Sequence, residues 1–304
     1  MNERTKGRLA MIAAGAIWGL SPMYYKVIAH VPPGEVLAHR AIFSFATFFA
    51  VLLVQGRARQ MFRSVFSSLR KFGFTLLTAT LIGSNWLLFI FAIQIERATQ
   101  ASLGYFLYPL IAVFLGSVFL KERLTPPQWM AVATTAIAVL YLSVVLGEFP
   151  FLATVLASTF AIYGLIKKKT RQGAVASVAA ESFVLTPVAL LWLLGVHLLF
   201  WQDFTGRAGG WFGNGLLETA MLAASGLITA GPLVLMSYGL KRIRYSEGGF
   251  LLYTNPTLQF LVAVLIFMEP FTAADLAAFV LIWIALLVFS LEAPITSGLR
   301  AIRR

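Results

Sequence analysis

Residues 101–128 read ASLGYFLYPLIAVFLGSVFLKERLTPPQ. The apolar run 101–120 is long enough to cross the ~30 Å hydrocarbon layer of a bilayer as a helix that rises ~1.5 Å per residue. Lys121 and Arg123 then form a short basic loop, and Thr125-Pro-Pro-Gln128 is an N-cap arrangement that starts another helix. The stretch therefore predicts one transmembrane helix, a short loop and the start of the next transmembrane helix.

Apolar runs of this kind fill the rest of the chain. Ten transmembrane helices are predicted, at 9–28, 35–54, 73–94, 101–120, 128–146, 149–166, 175–199, 216–240, 248–268 and 273–291. The composition agrees, because 59% hydrophobic and 12% charged residues cannot cover a soluble globule of 304 residues with polar surface. The sequence therefore predicts an all-α membrane protein.

Lys and Arg residues are distributed unequally between the two sides of these helices. With the N-terminus in the cytoplasm, 20 of the 24 Lys and Arg residues fall in cytoplasmic segments, and the external loops hold only Arg97 and Arg207. This bias predicts both termini in the cytoplasm and the loop at 200–215 outside a bacterial inner membrane. The net charge of +12 therefore indicates orientation and contact with anionic lipid, not binding of nucleic acid.

The quoted stretch has a counterpart in the second half of the chain. At a constant offset of 147 residues, the matches are Pro109 with Pro256, Glu122 with Glu269, Thr125 with Thr272 and Gln128 with Asp275. Each half, 1–147 and 148–304, contains five helices, so the second half enters the membrane from the opposite side. Inverted repeats around a central cavity are typical of alternating-access transporters. A chance match between two apolar segments is the alternative.

Prolines inside three of the predicted helices are candidate hinges. Pro22, Pro109 and Pro256 lie in the first, fourth and ninth helices. A proline removes a backbone hydrogen bond, so each is expected to kink or locally open its helix.

Three stretches carry a family resemblance. Residues 13–19 (AAGAIWG), 82–90 (IGSNWLLFI) and 101–123 resemble the EamA-type branch of the drug/metabolite transporter superfamily, and within it RarD-like permeases and the neighbouring amino-acid exporters. The resemblance is looser in the second half, where Tyr253-Thr-Asn-Pro256 stands in the matching place. It implies ten helices, two inverted repeats and export of small metabolites, which in this family include amino acids, other metabolites and drugs.

Polar and aromatic side chains at mid-depth mark the candidate substrate cavity. The predicted substrate-binding set is Trp18, Ser21, Tyr24, Asn85, Trp86, Tyr105, Tyr108, Tyr163, Tyr253 and Asn255. The amide of Asn85 needs a substrate, a water-filled cavity or a neighbouring helix as its partner, and an interhelical hydrogen bond is the open alternative. For each single aromatic residue, packing against lipid or another helix is the alternative. An aromatic wall suits an amphiphilic substrate.

The charged residues within the predicted spans include Lys26, Arg40 and Glu181. Lys26 and Arg40 are expected to extend to the external interface, and the alternative is that one of them attracts a substrate carboxylate. Glu181 lies near the cytoplasmic face, where it could pair with the cations at 167–171. A buried acidic relay is not visible, so obligatory proton antiport is not supported.

Catalytic and cofactor motifs are missing from the sequence. The chain has no Cys, three His without metal-ligand spacing and no phosphate loop, so no enzyme activity, metal or cofactor is expected. A polytopic membrane transferase or phosphatase, the alternative from another class, would need a His, Asp or Arg cluster. The sequence predicts a monomeric secondary transporter that exports small amphiphilic metabolites, foremost amino acids with aromatic or apolar side chains. A drug or another metabolite is the alternative cargo.

Overall fold

The computed structural model describes residues 2–121, 123–145, 147, 149–167, 173–243, 248 and 251–302, with side chains up to residue 289. The helices are α1 (Glu3–Val27), α2 (Pro33–Val54), α3 (Ala58–Phe66), α4 (Leu69–Gln94), α5 (Ala98–Leu120), α6 (Pro126–Val145), α7 (Phe151–Lys167), α8 (Ala174–Leu199), α9 (Leu216–Leu240), α10 (Thr254–Leu261) and α11 (Ala273–Ile302). A π-helical segment, Val262–Ile266, continues α10. The all-α prediction is confirmed for the described ranges.

Helix length and composition identify a membrane protein. Six helices, α2, α4, α5, α6, α8 and α9, are long and apolar enough to cross a bilayer. Shorter apolar helices occupy Phe151–Lys167, Thr254–Ile266 and Ala273–Phe289. Helix α1 covers the first predicted span, with basic residues near both ends. A multi-pass membrane protein is therefore confirmed, whereas the count of ten spans stays a prediction.

Helices from the two halves of the chain pack against one another. Helix α2 packs on α8 and α9, α1 on α9 and α10, α7 on α4 and α5, and α6 on α11. The crossing of α2 and α9 is close, because a Cβ atom at Gly226 would overlap the backbone of Phe43 and Ser44. We call the end of this bundle that carries the loop 200–215 the loop end, and the opposite end the N-terminal end.

A short helix that the sequence analysis treated as loop, α3, lies at the N-terminal end. Met61 and Val65 are buried, whereas Arg59 and Arg63 are exposed. Such a division is typical of a helix that lies flat at a membrane surface. Its 9 residues are too few for a span, which is why a search for long apolar runs missed it.

The predicted helix starts at the two repeat-related caps are confirmed. The backbone N–H of Thr125 donates to Gln128 Oε1 at 3.1 Å before α6. At the start of α11, the N–H of Thr272 donates to Asp275 Oδ2 at 2.9 Å, and the N–H of Asp275 donates to Thr272 Oγ1 at 3.2 Å. Glu122, the predicted partner of Glu269, lies outside the described residues.

The prolines affect their helices differently. Pro22 and Pro109 lie inside α1 and α5, which continue through them. Pro256 lies in the first turn of α10, directly after a non-helical turn at 252–253. The turn at 252–253 precedes Pro256, whereas α1 and α5 are helical before Pro22 and Pro109, and the hinge role of all three prolines stays a prediction. A membrane helix can lose one backbone hydrogen bond without ending, because neighbouring helices support it.

Candidate substrate site

A continuous series of aromatic rings runs through the interior of the bundle. The centroid distances are 5.1 Å for Tyr24–Tyr25, 5.9 Å for Tyr25–Phe89, 5.8 Å for Phe89–Tyr105, 6.2 Å for Tyr105–Phe160, 4.7 Å for Tyr108–Phe160 and 5.9 Å for Phe160–Tyr163. We call these seven residues the aromatic path. All six contacts lie within the range of favourable aromatic pairs. The path joins side chains from α1, α4, α5 and α7.

The aromatic path contains four residues of the predicted set: Tyr24, Tyr105, Tyr108 and Tyr163. Tyr25, Phe89 and Phe160, which connect them, were missed by the sequence analysis. Each of these three is an aromatic residue among many in an apolar helix, so only its contacts distinguish it. The structure therefore brings predicted residues from both halves of the chain together, through rings that no motif indicated.

The second aromatic group lies at the start of α10. Tyr253 and Tyr108 pack against the same hydrophobic cluster, which includes Phe106 and Phe279. Tyr253 also lines a cavity of about 330 Å³ together with Leu251, Thr254, Thr257 and Leu258. Asn255, on the next turn, accepts a hydrogen bond from Gln259 Nε2 at 2.8 Å. Tyr253 is thus a predicted residue that borders an open space.

Asn85 and Ser21 have partners within the protein. Asn85 is 1% exposed, and its Nδ2 donates to the carbonyl of Leu156 at 2.9 Å and to Thr159 Oγ1 at 3.0 Å. The structure thus gives Asn85 the interhelical bond, here between α4 and α7, that the sequence left open. Ser21 donates to the carbonyl of Trp18 at 2.7 Å within α1. A substrate contact for either residue stays a prediction.

Trp18 and Trp86 belong to one hydrophobic cluster in the interior. Trp86 is 7% exposed, and the half-buried rings of Trp18 and Tyr163 pack against the same group of side chains. Trp18 and Tyr163 stand in similar short stretches, Ala16-Ile-Trp-Gly19 and Ala161-Ile-Tyr-Gly164.

Arg40 does not extend to the membrane interface, so the expectation from the sequence is wrong. The residue is 6% exposed, and its Nε donates to Thr229 Oγ1 on α9 at 2.9 Å. Its guanidinium lies 4.4 Å from the ring centroid of Trp86 and 5.7 Å from that of Tyr25. These are cation–π distances. The close crossing of α2 and α9 turns this side chain inward, which a linear sequence does not reveal.

Lys26 and Glu181 behave as the sequence predicts. Lys26 forms an ion pair of 2.8 Å with Glu96 at the loop end, and the hydrogen bond from Lys26 lowers the pKa of Glu96 below its usual value. Glu181 is 1% exposed and accepts from Lys167 Nζ at 2.6 Å and from Tyr163 Oη at 2.9 Å. The aromatic path therefore ends, at the N-terminal end, on a buried ion pair.

The loop end is covered by the segment 200–215. Glu35, 0% exposed, accepts hydrogen bonds from the backbone N–H of Gly210 and Trp211, both at 2.8 Å, and of Phe212 at 3.3 Å. Arg207 donates to the carbonyl of Ala29 at 2.6 Å. The sequence predicts that this loop lies outside the membrane, but its attachment to α2 is not predictable from the sequence.

A second carboxylate holds the start of α5. Glu269 accepts from the backbone N–H of Ala98 at 2.6 Å and of Thr99 at 2.7 Å, and also from the Thr99 hydroxyl at 2.8 Å. A carboxylate at a helix N-terminus is stabilising, because it pairs orphan N–H groups and faces the positive end of the helix dipole. A residue of the second half thus fixes a helix of the first.

The chain is similar to known bacterial membrane proteins along its length. The EamA-like transporter family matches residues 5–144. Protein RarD of Salmonella typhimurium is 38% identical over 294 residues, 97% of each chain. Uncharacterized transporter YojE of Bacillus subtilis is 35% identical over 293 residues, 95% of this chain and 94% of that one. Chloramphenicol-sensitive protein RarD of Pseudomonas aeruginosa is 30% identical over 287 residues, 93% of each chain.

A solved structure shares the fold. A protein of known crystal structure, 19% identical in sequence, superimposes with a TM-score of 0.60 over 95% of this chain and 98% of that one. At this level of identity, the likeness concerns the arrangement of helices alone.

Proposed function

Because the chain belongs to the drug/metabolite transporter superfamily as a RarD-like, EamA-type permease, we propose that it exports small amphiphilic metabolites, foremost amino acids with aromatic or apolar side chains. The observation that carries the proposal is the aromatic path, which links helices of both halves. Its rings offer an apolar surface to a side chain, and their faces attract an ammonium group. The protein lies in the bacterial inner membrane as a multi-pass protein.

Helix packing supports an arrangement of inverted repeats, 1–147 and 148–304. Exchange of the halves turns α1 into α7, α2 into α8, α4 into α9, α5 into α10 and α6 into α11. Under this exchange the pair α1–α9 maps onto the pair α7–α4, and both pairs are in contact. The pair α2–α9 maps onto the pair α8–α4, and both of these are also in contact. The pair α5–α7 maps onto the pair α10–α1, and both are in contact. The contacting pairs α2–α8 and α6–α11 each map onto themselves. A pseudo-two-fold axis in the membrane plane requires such a pattern.

Alternating access about this axis is the proposed mechanism. The two halves would rock around the aromatic path, with Pro22, Pro109 and Pro256 as hinges and both termini in the cytoplasm. The carboxylates of Glu35 and Glu269 hold the loop end by bonds to backbone N–H groups, which have to break when that end opens. The protein acts as a monomer in this proposal.

A drug is the second candidate cargo. One relative is named a chloramphenicol-sensitive protein. An aromatic cavity can bind an aromatic drug as well as an aromatic amino acid. The two cargoes differ in charge, because an amino acid carries an ammonium and a carboxylate whereas chloramphenicol is neutral.

Efflux from proteoliposomes tests the proposal. Vesicles loaded with radiolabelled L-phenylalanine, L-leucine or chloramphenicol are compared with empty-membrane vesicles. We expect amino-acid efflux above the control, and Tyr105→Ala is expected to weaken apparent affinity by up to about thirtyfold, since a desolvated cation–π contact contributes up to about 2 kcal/mol.

The control variant is Phe114→Ala on the same helix. Phe114 is 42% exposed on the bundle surface, so its loss is expected to leave efflux unchanged. Efflux of chloramphenicol without efflux of either amino acid would overturn the proposed cargo. Equal effects of Tyr105→Ala and Phe114→Ala would show that the aromatic path is not the route.

A further inference from the structure

Arg40 is a buried cation without a carboxylate partner among the residues that the structure describes. Its guanidinium is held by the hydrogen bond from Nε to Thr229 Oγ1 and by the rings of Trp86 and Tyr25. Nε is thereby occupied, and the two Nη groups stay available to a ligand. The described ion pairs of α2 do not include Arg40.

A polar group that lacks a partner lies beside the same guanidinium. The hydroxyl of Tyr25 is buried and makes no hydrogen bond to a described residue. The hydroxyl of the neighbouring Tyr24, by contrast, donates to the carbonyl of Met221 on α9. The Nη groups of Arg40 and the hydroxyl of Tyr25 therefore form, at one end of the aromatic path, a group of donors without a hydrogen bond to a described residue.

A buried charge without a counter-ion costs free energy at membrane depth. A snorkelling side chain avoids the cost by reaching water, but Arg40 is turned inward between α2, α4 and α9. Cation–π contacts offset only part of it. A bound anion would supply further compensation, and a guanidinium binds a carboxylate through two parallel N–H donors.

We propose that Arg40 binds the carboxylate of the transported substrate, with the Tyr25 hydroxyl as an additional donor. This inference rests on the proposed function and narrows its cargo to molecules that combine an anionic carboxylate with an apolar or aromatic body. The carboxylate pairs with the Nη groups of Arg40, and the body lies along Phe89, Tyr105 and Phe160. Thr229 is a positioning residue, because it orients the guanidinium through Nε without contacting the substrate.

Binding to the purified, full-length protein tests the assignment. The probes are L-phenylalanine, L-phenylalaninamide, which lacks the carboxylate, and phenylpyruvate, which lacks the ammonium. Quenching of tryptophan fluorescence and displacement of radiolabelled L-phenylalanine give the dissociation constants. We expect the wild type to bind the amide between about tenfold and about a hundredfold more weakly than the acid, as loss of a charged hydrogen-bonding partner requires.

Variants at Arg40 provide the second measurement. Arg40→Gln is expected to bind L-phenylalanine as weakly as the wild type binds the amide. Arg40→Lys is expected to retain part of the preference for the acid over the amide, since a lysine keeps the charge but lacks the two parallel N–H donors. Lys26→Met is the control, because Lys26 already pairs with Glu96 at the loop end. Thermal unfolding of each variant shows whether it is folded.

The outcomes separate this inference from the proposed function. Equal binding of acid and amide by the wild type would overturn the carboxylate site even if Arg40→Gln fails to fold. Binding of phenylpyruvate that depends on Arg40, without efflux of amino acids, would support the site and overturn the amino-acid cargo. Efflux of amino acids that Arg40→Gln leaves unchanged would support the cargo and overturn the site.

Discussion

The attachment of the 200–215 loop to α2 yields a prediction whose magnitude follows from the hydrogen bonds of one side chain. Glu35 is fully buried, and its two oxygens accept from three backbone N–H groups at 2.8, 2.8 and 3.3 Å. The change is Glu35→Gln, which keeps the size of the side chain. It replaces one oxygen by an NH2 group that faces a backbone donor.

The expected loss combines two effects. The bond from Gly210 is lost and leaves a buried donor unpaired, at about 1–3 kcal/mol, and the bonds from Trp211 and Phe212 to the other oxygen change from charged to neutral, at about 1 kcal/mol together. The sum of about 3 kcal/mol corresponds to roughly a hundredfold increase in local opening of the loop.

Hydrogen exchange measures this opening directly. The amides of Gly210, Trp211 and Phe212 are expected to exchange roughly a hundredfold faster in Glu35→Gln than in the wild type. The control is Glu96→Gln, which removes the exposed pair with Lys26 and costs at most about 1 kcal/mol. Its exchange at the same three amides is expected to match the wild type. Exchange rates in Glu35→Gln within about threefold of the wild type would refute the role of the carboxylate.

Three further changes test packing and orientation. Gly226→Ala is expected to lower the midpoint of thermal unfolding, at a cost on the order of 3 kcal/mol, because its Cβ overlaps the α2 backbone; Gly231→Ala, with no atom within 4 Å, is the control, and equal midpoints would contradict the close crossing. Asn85→Ala is expected to cost between about 0.6 and about 1.7 kcal/mol of stability; unchanged stability with weakened substrate binding would identify a substrate contact instead. Cysteines at Gln55 and Gln202 are expected to react oppositely with an impermeant thiol reagent in intact cells, and equal labelling would overturn the topology.

The sequence predicted those features that depend on a single segment. An apolar run of about twenty residues matches the thickness of a bilayer wherever the rest of the protein lies. The caps at Thr125 and Thr272 were predictable for the same reason, since donor and acceptor are three residues apart. The family resemblance was carried by short stretches such as 13–19 and 82–90, and the comparisons with known proteins support it.

The candidate site could be predicted only in part. Tyr24, Tyr105, Tyr108 and Tyr163 lie on one path because helices of both halves meet there. The rings that join them carry no distinguishing signal in the sequence. Asn85 shows the same limit, since a mid-helix amide requires a partner but does not indicate whether that partner is a helix or a ligand.

The length of the apolar runs, the composition and the loop charge by themselves determined the class of this protein and its long helices, and short stretches such as 13–19 carried the resemblance to its family. The tertiary structure alone decided where the charged side chains of α2 lie. In the folded chain Arg40 points inward to Thr229 on α9 and Glu35 lies beneath the loop, although the sequence position of Arg40 had predicted that it extends to the interface. The side chains of a helix point in all directions around its axis. The neighbouring helices determine which of these side chains face lipid, water or the interior of the protein.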